Sequence, residues 1–337
     1  MSEMSGQNGP ADSEHVAARG SAGGQPPGRP ARPRRGLRIT LVSLASLVVF
    51  LGVAAVGVYA YVNHLAGSIQ RIPVDFAKLD GASQRPGSMT VLITSANEPG
   101  SSGLIMLLHI NANNKSGGVV SIPPQTLVRV PGHGLIQINQ ALAYGGASLL
   151  VKTVEQVTSV PTDHYARVKF AQVANLVNAV GGVNVTLPQK SVSDGYTFHA
   201  GVNHLNGITA VYYVHAPSLT AAGRGLRQQS LIRAILDKMA NEHLLTNPLT
   251  AVRVVHAMVA MLTVDSNFTN SGVESLATKL GHLSSRAGVF VTAPSYTASG
   301  QVYLSPLSRK LWTAMRTDSI AAFAAKYPAT VTPPAPH

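Results

Sequence analysis

The sequence predicts an α/β layered domain preceded by one transmembrane helix, and three observations carry that reading. From about Ser88 to Tyr327, short apolar runs of strand length alternate with stretches whose apolar residues recur at helical spacing. Ile39 to Val62 is a run of 24 residues without a charge. No internal repeat breaks the order, so one large domain with tails accounts for the 337 residues.

The uncharged run comes first. At 1.5 Å per residue it reaches about 36 Å, enough to cross a bilayer core of roughly 30 Å. Arg29, Arg32, Arg34, Arg35 and Arg38 lie just before it, whereas Asn63 to Gln70 holds no Lys or Arg. The positive-inside rule then leaves the N-terminus in the cytoplasm and the rest of the chain outside a cell membrane. A cleaved signal peptide is the rival, but its apolar region spans about 7–15 residues and a retained anchor fits better. Residues 1–38, rich in Gly, Pro, Ser and Arg, read as a disordered cytoplasmic segment. Residues 63–87 read as a juxtamembrane linker, 88–327 as the extracytoplasmic domain, and 328–337, with four prolines, as a flexible tail.

Within the domain, Met89 to Thr94 and Leu104 to Ile110 are apolar runs that suit buried strands. Asn111 to Gly118 is turn chemistry, which predicts a hairpin into Val119 to Pro123. Ala147 to Thr158 spaces Leu149, Leu150, Val154 and Val157 as a helix does. Tyr165 to Phe170 is a strand, and Ala171 to Val180 a helix stopped by Gly181-Gly182. Val183 to Leu187 is the next strand, and Leu205 to Val214 carries mixed signals. Leu231, Ile235 and Met239 mark a helix from about Gly225 to His243. A helix pair covers Leu249 to Leu262 and Val273 to Leu283. Val289 to Thr292 and Gln301 to Leu304 read as a late hairpin, and Ser308 to Met315 as the last helix.

Composition narrows the partners. There is no cysteine, so disulfides and thiolate metal sites are excluded. The net charge of +12 suits nucleic acid, an anionic membrane surface or a phosphorylated substrate. The predicted topology puts the domain on the far side of the membrane from nucleic acid, which leaves the other two. Asp163-His164 are neighbours on a strand and point to opposite faces, which argues against an acid–base pair and for a structural turn. His199, His204 and His215 match no metal-ligand spacing, and Asp194, before Gly195, reads as a turn residue.

Six sets of residues share an order and spacing. They are Ser121-Ile122-Pro123 with Ile138-Asn139 and Ala143-Tyr144-Gly145-Gly146; Thr153-Val154-Glu155 with Pro161, Asp163-His164-Tyr165 and Phe170; and Leu176 with Gly181-Gly182-Val183. The others are His204-Leu205-Asn206-Gly207 with Ala210 and Tyr213-Val214; Gly223-Arg224 with Arg227-Gln228-Gln229; and Leu262-Thr263-Val264-Asp265. Together they resemble the LytR-CpsA-Psr family from about Met89 to Leu283. The resemblance implies a three-layer domain with a central mixed β-sheet flanked by helices. It also implies binding of a polyprenyl-pyrophosphate-linked glycan, with the lipid in an apolar pocket. The glycan phosphate would pass to a hydroxyl of peptidoglycan, with a divalent cation such as Mg²⁺ assisting.

The charged positions of that family differ here. Ala96, Ser101, Gly103, Pro124, Gln125, Gln137, His215 and Pro217 stand where the resemblance leads one to expect carboxylates, arginines or a lysine. Arg224, Arg227, Gln228 and Asn139 remain as the phosphate-binding candidates, the first three near a helix N-terminus that attracts anions. The expectation is binding of a polyprenyl-phosphate lipid or glycopolymer with phosphotransfer impaired or lost. The alternative is a non-catalytic scaffold that pairs with an active family member or another envelope protein.

Overall fold

The computed structural model describes residues 64, 67–76, 85–95, 103–169, 172–216, 218–219, 221–242, 244, 247–282 and 288–331. The predicted transmembrane run 39–62 and the segment 1–38 lie outside the described residues. Among those described, no helix is long and apolar enough to cross a membrane.

The strands in chain order begin with β1 (Gln70–Ile72), β2 (Met89–Ser95), β3 (Ile105–Ile110), β4 (Gly117–Ser121), β5 (Leu127–Val130), β6 (Gly134–Gln137) and β7 (His164–Val168). They continue with β8 (Val183–Leu187), β9 (Ser191–Ser193), β10 (Tyr196–Phe198), β11 (Gly201–Leu205), β12 (Leu262–Asp265), β13 (Gly288–Thr292), β14 (Ser295–Ala298) and β15 (Gln301–Leu304). The helices are α1 (Gln140–Thr158), α2 (Val173–Ala179), α3 (Gly207–His215), α4 (Ala221–Asn241), α5 (Pro248–Met261), α6 (Asn270–His282), α7 (Ser308–Arg316) and α8 (Ile320–Lys326). Seven strands form a mixed sheet in the order β1-β12-β7-β2-β3-β4-β13. β2 runs parallel to β7, and β13 parallel to β4, while β3 is antiparallel to both of its neighbours.

Period-two alternation explains the layers. On β2, Val91 joins one core cluster with α2, α3, α4 and α5, while Leu92 joins the other with α1, α7 and α8. The sheet is covered on both faces, so β3 is buried along its whole length and reads as a continuous apolar run. The expected three-layer mixed-sheet domain is what forms.

Some sequence motifs turn out to be joints. Asn206 caps α3 by accepting from the Thr209 amide at 3.0 Å, and Thr209 Oγ1 accepts from the Asn206 amide at 2.9 Å. A Cβ on Gly207 would lie 2.4 Å from the Ala174 carbonyl oxygen, so the glycine lets α2 and α3 touch. Asp163 accepts from the Thr90 amide at 2.7 Å, and Asp265 accepts from the Tyr165 amide at 2.9 Å. His164 stacks on Phe268 with ring centroids 3.9 Å apart. Asp163 and His164 therefore staple strands together, and His164 opens β7 where a turn was expected.

Several expectations need correction. β13 does not form a hairpin with β15: it joins the central sheet beside β4, and β15 pairs with β14. Phe290 and Val291 are buried on its two faces, which fits a strand at the side of the central sheet better than an exposed hairpin. α7 is followed by α8, whose Ile320 and Phe323 are buried. β1 lies inside the expected 63–87 linker, yet it pairs with β12. Pro328–Thr330 forms a 3-10 turn and Val331 bridges to Val291, so the domain continues into the expected tail. α4 starts at Ala221, four residues before the expected Gly225.

Candidate functional site at one edge of the sheet

Topology gathers one edge. β2, β4, β7 and β13 end there, and β12 and β1 begin there, because Leu262 pairs with Val168 and Gln70 with Thr263. Loops leaving the carboxyl ends of parallel strands are the usual place for a ligand in such sheets.

Ser121 ends β4, and a turn follows in which the Thr126 amide donates to the Pro123 carbonyl at 3.0 Å. Pro124 takes the second position of that turn, where its fixed φ is favourable. Its carbonyl accepts from the Asn139 amide at 3.1 Å, which joins the turn to the start of α1. Gln125 and Gln137 are half-buried at the root of the β5–β6 hairpin. Asn139 caps α1 by position, but its side chain makes no capping bond, and Asn139 Oδ1 is buried with no partner among the described residues.

On the opposite face, the first turns of α4 reach the same edge. Gln229 lies 3.4 Å from Thr292 Oγ1, the last residue of β13. Arg224 donates to the Leu219 carbonyl at 2.8 Å. Arg227 donates to the Tyr213 carbonyl at 3.0 Å and to Ser191 Oγ at 2.8 Å, and its guanidinium lies 5.0 Å from the Tyr213 ring centroid. Burial pulls the Arg227 pKa down, with the Tyr213 phenol opposing. The group stays cationic at neutral pH because a guanidinium starts so high. Each arginine thus spends donors on the protein itself, out of five per guanidinium. Gln228 is buried, and its Oε1 has no partner among the described residues.

His215 ends α3, is exposed, and places Nδ1 3.1 Å from the Val211 carbonyl oxygen. Gly103 precedes β3 at this edge. Ala96, Ser101 and Pro217 lie outside the described residues. His199 and His204 sit on the β8–β11 region, where the His204 ring meets Asn184 at 3.0 Å. Asp194 and Gly195 both take positive φ, 49° and 77°, at the β9–β10 turn.

Arg167 is the residue that sequence reasoning missed. It pairs in register with Thr94 on one side and Thr263 on the other, at the edge just described. Its Nε is buried without a partner among the described residues. The signal was an arginine set between the apolar neighbours Ala166 and Val168 of a strand, where a cation needs a reason to be. Three buried polar atoms, on Asn139, Gln228 and Arg167, are thus unsatisfied at or beside one edge. Such atoms cost free energy unless something binds them. Rotating either amide by 180° would present NH₂ donors instead of oxygens.

Such an edge offers donors and guanidinium charge, which suits a phosphate. Among the described residues no three His, Asp or Glu side chains come together, and a hard cation needs oxygen ligands such as carboxylates.

Comparisons with known proteins agree on one lineage. The LytR_cpsA_psr family pattern matches residues 79–303. The chain is 30% identical over 234 residues to the polyisoprenyl-teichoic acid–peptidoglycan teichoic acid transferase TagT of Bacillus subtilis, covering 61% of this chain and 72% of that protein. It is 33% identical over 170 residues to the probable cell wall biosynthesis protein LcpB of Corynebacterium glutamicum, covering 49% of this chain and 41% of that one. The match to LcpB thus spans less than half of that relative's length. Among solved structures, the LytR-Csp2A-Psr enzyme from Actinomyces oris superposes with a TM-score of 0.63 at 19% identity, covering 74% of this chain and 96% of that one. B. subtilis TagT bound to LIIa-WTA superposes with a TM-score of 0.56 at 23% identity, covering 74% and 100%. At such identities these structures establish the shared fold.

Proposed function

The chain belongs to the LytR_cpsA_psr family, and from that membership we propose that it binds a polyprenyl-phosphate-linked glycopolymer at the outer face of the cell membrane, with transfer to peptidoglycan impaired or lost. The observation that carries this reading is the sheet edge. Arg167, Arg224 and Arg227 supply positive charge there, and buried polar atoms of Asn139, Gln228 and Arg167 have no partner among the described residues. A lipid phosphate would accept hydrogen bonds from the arginines, and from Asn139 and Gln228 once their amides are turned to present NH₂.

Impairment rests on charge. Transfer breaks a phosphoanhydride bond while a peptidoglycan hydroxyl attacks the glycan phosphorus and loses its proton. Negative charge builds on the leaving polyprenyl phosphate. Gln125 and Gln137 can donate hydrogen bonds to it but cannot neutralise it, and Pro124 can do neither. Removing one such donor typically slows catalysis about 10²–10³-fold. Arg224 and Arg227, each held by a backbone carbonyl, fit binding better than charge that must follow a transition state.

The test mixes the full chain in detergent with a polyprenyl-pyrophosphate-linked glycan and follows retention by native mass spectrometry. The reading expects a one-to-one lipid complex that Arg227→Ala weakens. A chain that stays free at lipid concentrations saturating an active relative would overturn it.

A further inference from the structure

We infer that the site-bearing edge of the sheet is ringed by an apolar and basic rim that docks on the headgroup layer of an anionic membrane. The inference rests on the anchored reading of residues 39–62.

Large apolar side chains left in water are informative when they cluster. Leu135 is 61% exposed, Tyr144 57%, Val192 52%, Leu226 47% and Tyr296 50%. All five stand on segments that leave or reach the same edge. Leu135 is on the β5–β6 hairpin that follows β4. Tyr144, in the first turns of α1, stacks on His133 at that hairpin's turn, with ring centroids 4.5 Å apart. Val192 is on the β9–β10 hairpin, which Arg227 ties to α4 through Ser191. Leu226 is in the first turns of α4. Tyr296 is on the β14–β15 hairpin that leaves β13, and Val302 of that hairpin bridges to Thr126 beside β5.

Ile208 is the contrast. It is 63% exposed but stands at the start of α3, where the Gly207 amide donates to Asn178 near the C-terminus of α2. Ile208 thus stands at the opposite end of α3 from Tyr213, whose carbonyl Arg227 meets.

The tether selects the occupant. The apolar run ends at Val62, and β1 begins at Gln70, on the same edge. Eight residues span at most about 28 Å, so this edge cannot stray far from the bilayer surface. Arg129 on β5 and Lys190 before β9 are exposed cations among the apolar residues, with Asp194 the acid at the β9–β10 turn. Tyrosines and cations beside aliphatic groups are the side chains that suit a membrane interface. Docking would set Arg224 and Arg227 at headgroup depth, level with a lipid phosphate.

The chain has no cysteine, so single probes are easily placed. L135C, Y144C, L226C and, as control, I208C of the full chain are labelled with an environment-sensitive fluorophore. They are reconstituted into nanodiscs of phosphatidylglycerol and phosphatidylcholine that contain nitroxide-labelled lipid. The three rim probes should shift to the blue and be quenched, and the Ile208 probe should do neither. Four equally wet probes on a chain retained in the discs would overturn the rim and leave the anchor standing. Failure of the chain to stay in the discs would overturn both. Rim probes that respond only to added soluble peptidoglycan fragments would overturn membrane docking in favour of a glycan contact.

Discussion

Glu155 shows how one side chain couples the frame to pH. It is buried in α1 with Oε1 accepting from the Thr162 amide at 2.8 Å. Burial raises its pKa to about 7, with the Thr162 bond opposing and the Asp163 charge adding. A carboxyl whose folded pKa exceeds its unfolded value stabilises the fold below the unfolded pKa and loses that contribution as pH rises through the folded one. Stability should therefore fall between pH 4.5 and about 7, by up to about 3 kcal/mol. Glu155→Gln should flatten that part of the curve, measured as Tm against pH. His109 works on the acid side. Burial lowers its pKa, with Asp318 opposing, so its contribution is lost as pH falls. Arg167 makes the second prediction at this scale. Arg167→Met should keep the fold and weaken lipid-phosphate binding by about 10–100-fold, the worth of a charged hydrogen bond. Binding unchanged on titration would show that its buried Nε serves the strand alone.

Elements were legible where periodicity was strong and neighbours did not matter. β2, β3 and α4 fall within a few residues of their expected places because their apolar patterns are long. β13 was seen as a strand but paired with the wrong partner, since pairing depends on contacts that no local pattern records. β9 and β10 went unseen: each has three residues, and only Asp194-Gly195 marks their turn. β3 offers the cleanest test of the central layer. Leu107 is fully buried there in the cluster with α1 and α7. Leu107→Ala should cost about 2–5 kcal/mol in denaturant unfolding. Gly207→Ala tests the α2–α3 joint and should also destabilise, because the added methyl meets the Ala174 carbonyl. A neutral result would mean that the helices part without cost.

For the whole molecule, the candidate site was only half legible. The motif around Arg224 and Arg227 was visible because those residues adjoin in sequence. Arg167 was not, because its place beside Thr94 arises from a parallel pairing across about 70 residues of chain. The same folding brings Asn139, from the start of α1, to the same edge. The molecule thus carries a family scaffold whose candidate edge holds three arginines and few carboxylates among the described residues. On the function proposed above, the molecule holds a lipid-linked glycan without passing it on efficiently. The most direct measurement presents the full chain in nanodiscs with a polyprenyl-pyrophosphate-linked glycan and peptidoglycan, and follows both bound lipid and glycan joined to peptidoglycan. The account predicts stoichiometric bound lipid, weakened in Arg227→Ala, with transfer no faster than that variant's. Sustained transfer well above the Arg227→Ala level would contradict it.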